Sequence, residues 1–167
     1  MGKLDIEYIN LECPEFKKND VEEIAREKAR FAFEYLKKPL IVDDTAFHIA
    51  ALKGFPGPYA AYVLNTLGTD GILKLMDKIT DTKASFVTAI AYADGDDIKV
   101  FTGSIDGYIV QPRGTGGFGY DPIFEYKGRT LAELPLHEKN TISHRGRALT
   151  AFMTWLLNKK STKSHKS

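Results

Sequence analysis

The sequence predicts an α/β fold: a mixed parallel and antiparallel sheet flanked by helices. Three observations carry that expectation. The first dozen residues alternate apolar and polar, a helical period follows, and an apolar run then appears at Leu40-Ile41-Val42, giving the order strand, helix, strand. Two long strand-like segments, 84–93 and 98–110, flank Asp94-Gly95-Asp96-Asp97, a turn composition that joins neighbouring strands into a hairpin. Helical patterns occupy the rest, ending near Leu157. At 167 residues the chain has the size of one domain, expected over 1–158, with the polar, basic run 159–167 as a frayed tail.

Each element has a local reason. In the first strand, Met1 to Glu12, Leu4, Ile6 and Tyr8 alternate with Asp5 and Glu7, and Pro14 closes it ahead of Glu15. Asn19 or Asp20 caps the first helix, with Glu22 or Glu23 in capping-box position. Val21, Ile24, Ala25, Lys28, Ala29, Phe31, Ala32, Tyr35 and Leu36 share one broad face of it, and Pro39 stops it. The buried strand Leu40–Val42 is followed at once by Asp43, Asp44 and Thr45, which places the acids at a strand's C-terminal edge, where open α/β sheets bind ligands. Adjacent strand residues point to opposite faces, so only one of the two acids serves a given pocket. Gly54 to Tyr59 forms a rigid bend, Tyr59 to Leu67 a helix capped by Gly68, and Asp70 to Met76 another. A glycine-rich loop covers Arg113 to Pro122, Thr130-Leu131-Ala132-Glu133 has capping-box spacing, and Ser143 caps the last helix.

Composition excludes several classes. The 23 basic and 22 acidic side chains leave a formal charge of +1, so no overall field draws the chain to nucleic acid or an anionic membrane. Cys13 is the only cysteine, which rules out an internal disulfide and fits a cytoplasmic setting. The histidines at 48, 137, 144 and 165 lack metal-ligand spacing, and no apolar run approaches a membrane span.

Three groups of residues could carry chemistry. Asp44 and Glu15 both follow predicted strands; two carboxylates with water and phosphate oxygens suit Mg²⁺, and a carboxylate beside a metal can deprotonate water. In Gly116-Gly117-Phe118-Gly119-Tyr120-Asp121-Pro122, glycines admit a ligand to the backbone, Phe118 and Tyr120 could flank a planar base, and Asp121 could accept from its edge. Lys139, Ser143, His144 and Arg145 surround a helix start that favours anions, with Arg145 offering a planar donor fork. Each has a plainer reading: solvated strand-end acids, an ordinary glycine-rich turn, a solvated basic helix start. A serine-histidine-aspartate hydrolase is set aside because no serine lies in a nucleophile-elbow sequence.

Taken in order, Asp43-Asp44-Thr45, Gly54-Phe55-Pro56-Gly57-Pro58-Tyr59, Gly117 to Pro122, Ala132-Glu133-Leu134 and Lys139-Asn140 with Ser143-His144-Arg145 resemble the inosine/xanthosine triphosphate pyrophosphatase family across nearly the whole chain. The resemblance implies an Mg²⁺-dependent hydrolase that splits ITP, dITP or XTP into monophosphate and pyrophosphate. It implies Asp44 as proton acceptor and metal ligand, Glu15 as the other metal ligand, and Thr45 as a substrate contact. Phe118, Gly119, Tyr120 and Asp121 would hold the base, with Lys139, His144 and Arg145 completing the nucleotide site. Family members are typically homodimers, and the aromatics from Phe55 to Tyr62 could serve that contact. Ala46 stands where the family usually has glycine, and His48 where it is more often apolar or acidic.

Family members also carry a strand, a Ser/Thr-x-Asn-x-x-Lys phosphate loop and a helix ahead of the strand expected here at Leu4, a unit of about 25 residues. Nothing before Met1-Gly2-Lys3 supplies it. The expectation is therefore an N-terminally truncated member of the fold with impaired hydrolysis. The alternative is a catalytically weak or inactive nucleotide-binding remnant that keeps the base pocket.

Overall fold

The computed structural model describes residues 5–16, 18 and 20–164. Its frame is an antiparallel sheet. Helix α1, Val21–Leu36, starts where the Asp20 carboxylate accepts the Glu22 N–H at 2.9 Å; Asn19 lies outside the described residues. Strand β1, Leu40–Ile49, pairs with β2, Pro56–Gly57, and with β3, Lys83–Ala93. Between β2 and β3 lie the short helices α2, Ala60–Thr66, and α3, Gly68–Leu75. Strand β4, Ile98–Ile109, returns from β3 through the expected Asp-Gly turn, where the Asp94 carboxylate accepts the Asp96 N–H. Short strands β5, Phe124–Tyr126, and β6, Arg129–Thr130, complete the order β2-β1-β3-β4-β5-β6. Helices α4, Leu136–Ile142, and α5, His144–Ser164, close the chain.

Four expectations are corrected. The sheet is antiparallel at every pairing, not mixed. The parallel neighbour foreseen for Leu40–Val42 was the first strand, and residues 5–16 form no strand; residues 1–4 lie outside those described. A strand needs a ladder partner for its backbone groups, and alternation alone supplies none. Ile6 and Tyr8 are 65% and 90% exposed accordingly. Third, β1 does not end at Val42 but runs on through both acids, because Phe47 and Ile49 continue the buried register and β3 pairs along its whole length, from Leu40↔Ala93 to Ile49↔Ala84. Fourth, residues 159–164 are helical, held where Lys159 reaches Asp94 at 3.1 Å and lies over the Trp155 ring.

The alternation of β1 divides the core. Odd positions face α5, α2 and α3, where Phe47 stacks on Phe86 with ring centroids 4.4 Å apart and Ile90 packs on Ala148 and Phe152. Even positions face α1 across an alanine-rich layer, Ala25 and Ala29 against Ala46, Ala89, Ala91 and Ala93. Small side chains on both surfaces bring helix and sheet close together. Among the described residues no helix is long and apolar enough to cross a membrane.

Candidate nucleotide site

The two acids of β1 part company on this alternation. Asp44 points under α1, where Lys28 Nζ donates to Oδ1 at 2.7 Å. The carboxylate is 16% exposed, and its Oδ2 is buried without a hydrogen-bond partner among the described residues. Burial pushes the Asp44 carboxyl above the ordinary carboxylate range, against the downward pull of Lys28. Lys28 was not among the site residues expected. Its signal was present, since a lysine within an apolar helical stripe needs a buried counter-charge. Glu15 stands exposed in the segment before α1, and among the described residues no bond ties it to Asp44.

Asp43 and Thr45 face the other way. Thr45 Oγ1 shares a 2.8 Å hydrogen bond with Thr88 Oγ1 directly opposite on β3, so the hydroxyl lies across the sheet from Asp44. Asp43 Oδ2 accepts Nε of Arg145 at 2.9 Å. Arg145 is presented by the first turn of α5, capped as expected by Ser143, whose Oγ accepts the Gly146 N–H at 3.1 Å. His144 beside it stacks on Phe86, centroids 4.8 Å apart and 15° from parallel. Its Nδ1 is buried without a partner among the described residues, and burial pushes the imidazole down to about 4, so it is neutral at physiological pH.

The glycine-rich loop joins the same side. Asp121 is buried; its Oδ2 accepts both Lys139 Nζ and the Phe118 N–H, the latter at 2.9 Å. A Cβ on Gly117, whose φ is +68°, would collide with that oxygen, so the turn admits only glycine. The Lys139 ammonium sits 4.2 Å from the Phe118 ring centroid, and Phe118 itself is 71% exposed. Tyr120 departs from its expected place. It is buried beside Phe47, its hydroxyl donates to the Ala60 carbonyl at 2.6 Å, and burial pushes the phenol up to about 12. Tyr120 pins the loop to α2, leaving Phe118 as the exposed ring of the pair. Gly119, with φ +63°, carries the chain between them.

The structure thus gathers Asp43, Thr45, Phe118 to Asp121, Lys139, His144 and Arg145 on one side of β1, and Asp44 with Lys28 on the other. The two sides meet at the edge of β1, which among the described residues has no strand beside Leu40–Ala46. A ligand lying over that edge reaches both. Oδ2 of Asp44, an oxygen donor with no partner among the described residues, fits a hard divalent cation. No three His, Cys, Asp or Glu side chains cluster among the described residues, so substrate oxygens and water would complete such a shell.

Residues 2–155 match the Ham1 family, and the chain belongs to it. It is 46% identical over 156 residues to the "dITP/XTP pyrophosphatase" of Thermococcus kodakarensis, covering 92% of this chain and 84% of that protein. It is 41% identical to the "Inosine triphosphate pyrophosphatase" of Emericella nidulans, over 95% of this chain and 87% of that one. The solved Ham1 protein of Staphylococcus aureus superposes with a TM-score of 0.82 at 33% identity, covering 87% of this chain and 80% of that structure.

Proposed function

We propose that this chain hydrolyses the non-canonical purine nucleoside triphosphates ITP, dITP and XTP to monophosphate and pyrophosphate, with Mg²⁺. The names of the relatives favour an enzyme over an inactive remnant. The observation that carries the reading is Asp44: a desolvated carboxylate at the strand edge with one oxygen unpartnered among the described residues, on the face of β1 opposite the Asp43–Arg145 pair.

In this reading the base lies against Phe118 and the triphosphate crosses β1 toward Asp44 and Lys28. A carboxylate whose affinity for a proton is raised by burial is a better proton acceptor than an ordinary one. Asp44 takes the proton of a water whose oxygen attacks phosphorus; the α–β bridging P–O bond breaks and its electron pair leaves with pyrophosphate. Lys28 holds the carboxylate in place and offers positive charge to the phosphates. Bound Mg²⁺ would neutralise phosphate oxygens, with Asp44 and, from the segment before α1, Glu15 as its ligands. Arg145 donates to O6 of a 6-oxo purine, whereas the 6-amino group of adenine sets donor against donor. Neutral His144, Lys139, Asp121 and Thr45 shape the remaining wall. The exposed rings of Phe55, Tyr59 and Tyr62 are the surface proposed for a homodimer contact.

The test is pyrophosphate release from ITP, XTP, dITP, GTP and ATP, with Mg²⁺ and with chelator. Metal-dependent release from ITP or XTP, at a kcat/KM at least roughly tenfold above that for ATP, is expected. No release from either would overturn the proposal.

A further inference from the structure

We infer that Asp43 is a positioning residue that sets base discrimination, by orienting the Arg145 fork from the strand that carries Asp44. The inference rests on the function proposed above and assigns a role to an acid that the resemblance left without one. Three observations carry it. The bond from Arg145 to Asp43 runs from Nε, not from the terminal amines, and among the described residues those Nη groups make no other bond. A guanidinium held by Nε has its plane fixed while its Nη donors stay available, as a carbonyl acceptor such as O6 requires. Arg145 and Asp43 are 54% and 45% exposed, so without this partner the long arginine side chain would sample many rotamers before meeting a base.

The third observation is the register. Asp43 is bonded to Asp44 through one peptide, and the ladder places them opposite Ile90 and Ala89 of β3. The group that orients the base reader and the group proposed to accept the proton therefore move as one rigid unit, on opposite faces of the same strand. A base that engages Arg145 is registered, through Asp43, against the phosphate chemistry on the other face. The Asp43 charge also acts on the His144 ring, opposing the downward pull of Arg145 and Lys139 on its proton affinity.

The experiment compares kcat and KM for ITP and ATP in wild type, Asp43→Asn, Arg145→Ala and the double variant, with thermal unfolding as a check on folding. An exposed ion pair adds little to stability, so Asp43→Asn is expected to fold. It should lower the ITP-to-ATP ratio of kcat/KM by roughly tenfold, chiefly through a higher KM for ITP. In the Arg145→Ala background the same change should have no further effect, since both act through one fork. A folded Asp43→Asn protein with the wild-type ratio, or additive effects in the double variant, would overturn the inference. If Asp43→Asn does not fold, Arg145→Lys decides: it keeps a cation beside Asp43 but lacks the fork, and full discrimination there would equally overturn it. Wild type without ITP or XTP hydrolysis would instead defeat the underlying function, which keeps the two failures distinct.

Discussion

Two lysine–carboxylate pairs stand on opposite sides of β1, and chemically they are the same pair. Lys139 and Asp121 are 9% and 7% exposed, and the one carboxylate oxygen they share also takes a backbone N–H from Phe118. Lys28 and Asp44 are more open, at 27% and 16%, yet Asp44 keeps a buried oxygen that none of the described residues satisfies. The Asp121 pair is closed and holds the shape of the Phe118 turn. The Asp44 pair is left incomplete, which costs stability in the free protein and readies the oxygen for water or metal. Unsatisfied polar atoms, more than buried charge as such, separate the two roles.

Asp44→Asn should break this contrast most sharply. Turnover is expected to fall by about 10² to 10⁴-fold, the usual share of a positioned base. Stability should move the other way. The folded-state carboxyl is raised above its unfolded value, so ionising it costs stability as pH rises through the unfolded value, and that cost persists at neutral pH. Removing the charge should leave the unfolding midpoint at pH 7.5 equal or higher, whereas a marked drop would show Asp44 to be structural. Lys139→Ala tests the closed pair. Stripping one partner from a buried ion pair costs on the order of 3–5 kcal/mol, so urea unfolding should show a large loss of stability. An undisturbed midpoint would mean that Asp121 is not held by this lysine.

The smallest effect belongs to His144. Its folded value of about 4 lies below the ordinary 6.5, so the unfolded chain takes up a proton that the folded chain refuses. Stability should decline as pH falls from 6.5 toward 4, by up to about 3 kcal/mol at the acid end. His144→Phe, which keeps the stack on Phe86, should flatten that window in urea titrations at pH 4.5 and 7.5. An unchanged slope would show that other groups govern it.

The sequence by itself determined what depends on neighbours along the chain. The Asp20 cap, the Asp94–Asp97 hairpin, the Glu133 carboxylate accepting the Thr130 N–H and the Ser143 cap are all where local spacing put them, because each is closed by residues within three or four positions. The run of motifs identified the family for the same reason. Only the tertiary structure decided the rest. The alternation at Leu4 to Tyr8 looked like a strand, but a ladder needs a partner that spacing does not provide. Arg145 meets Asp43 across 102 positions, and Lys28 meets Asp44 only because alanines let α1 lie close to the sheet. Which acid is stripped of water, which ring is buried and which stays exposed depend on what distant segments cover, and burial is a property of the packed chain, not of the residues in their order.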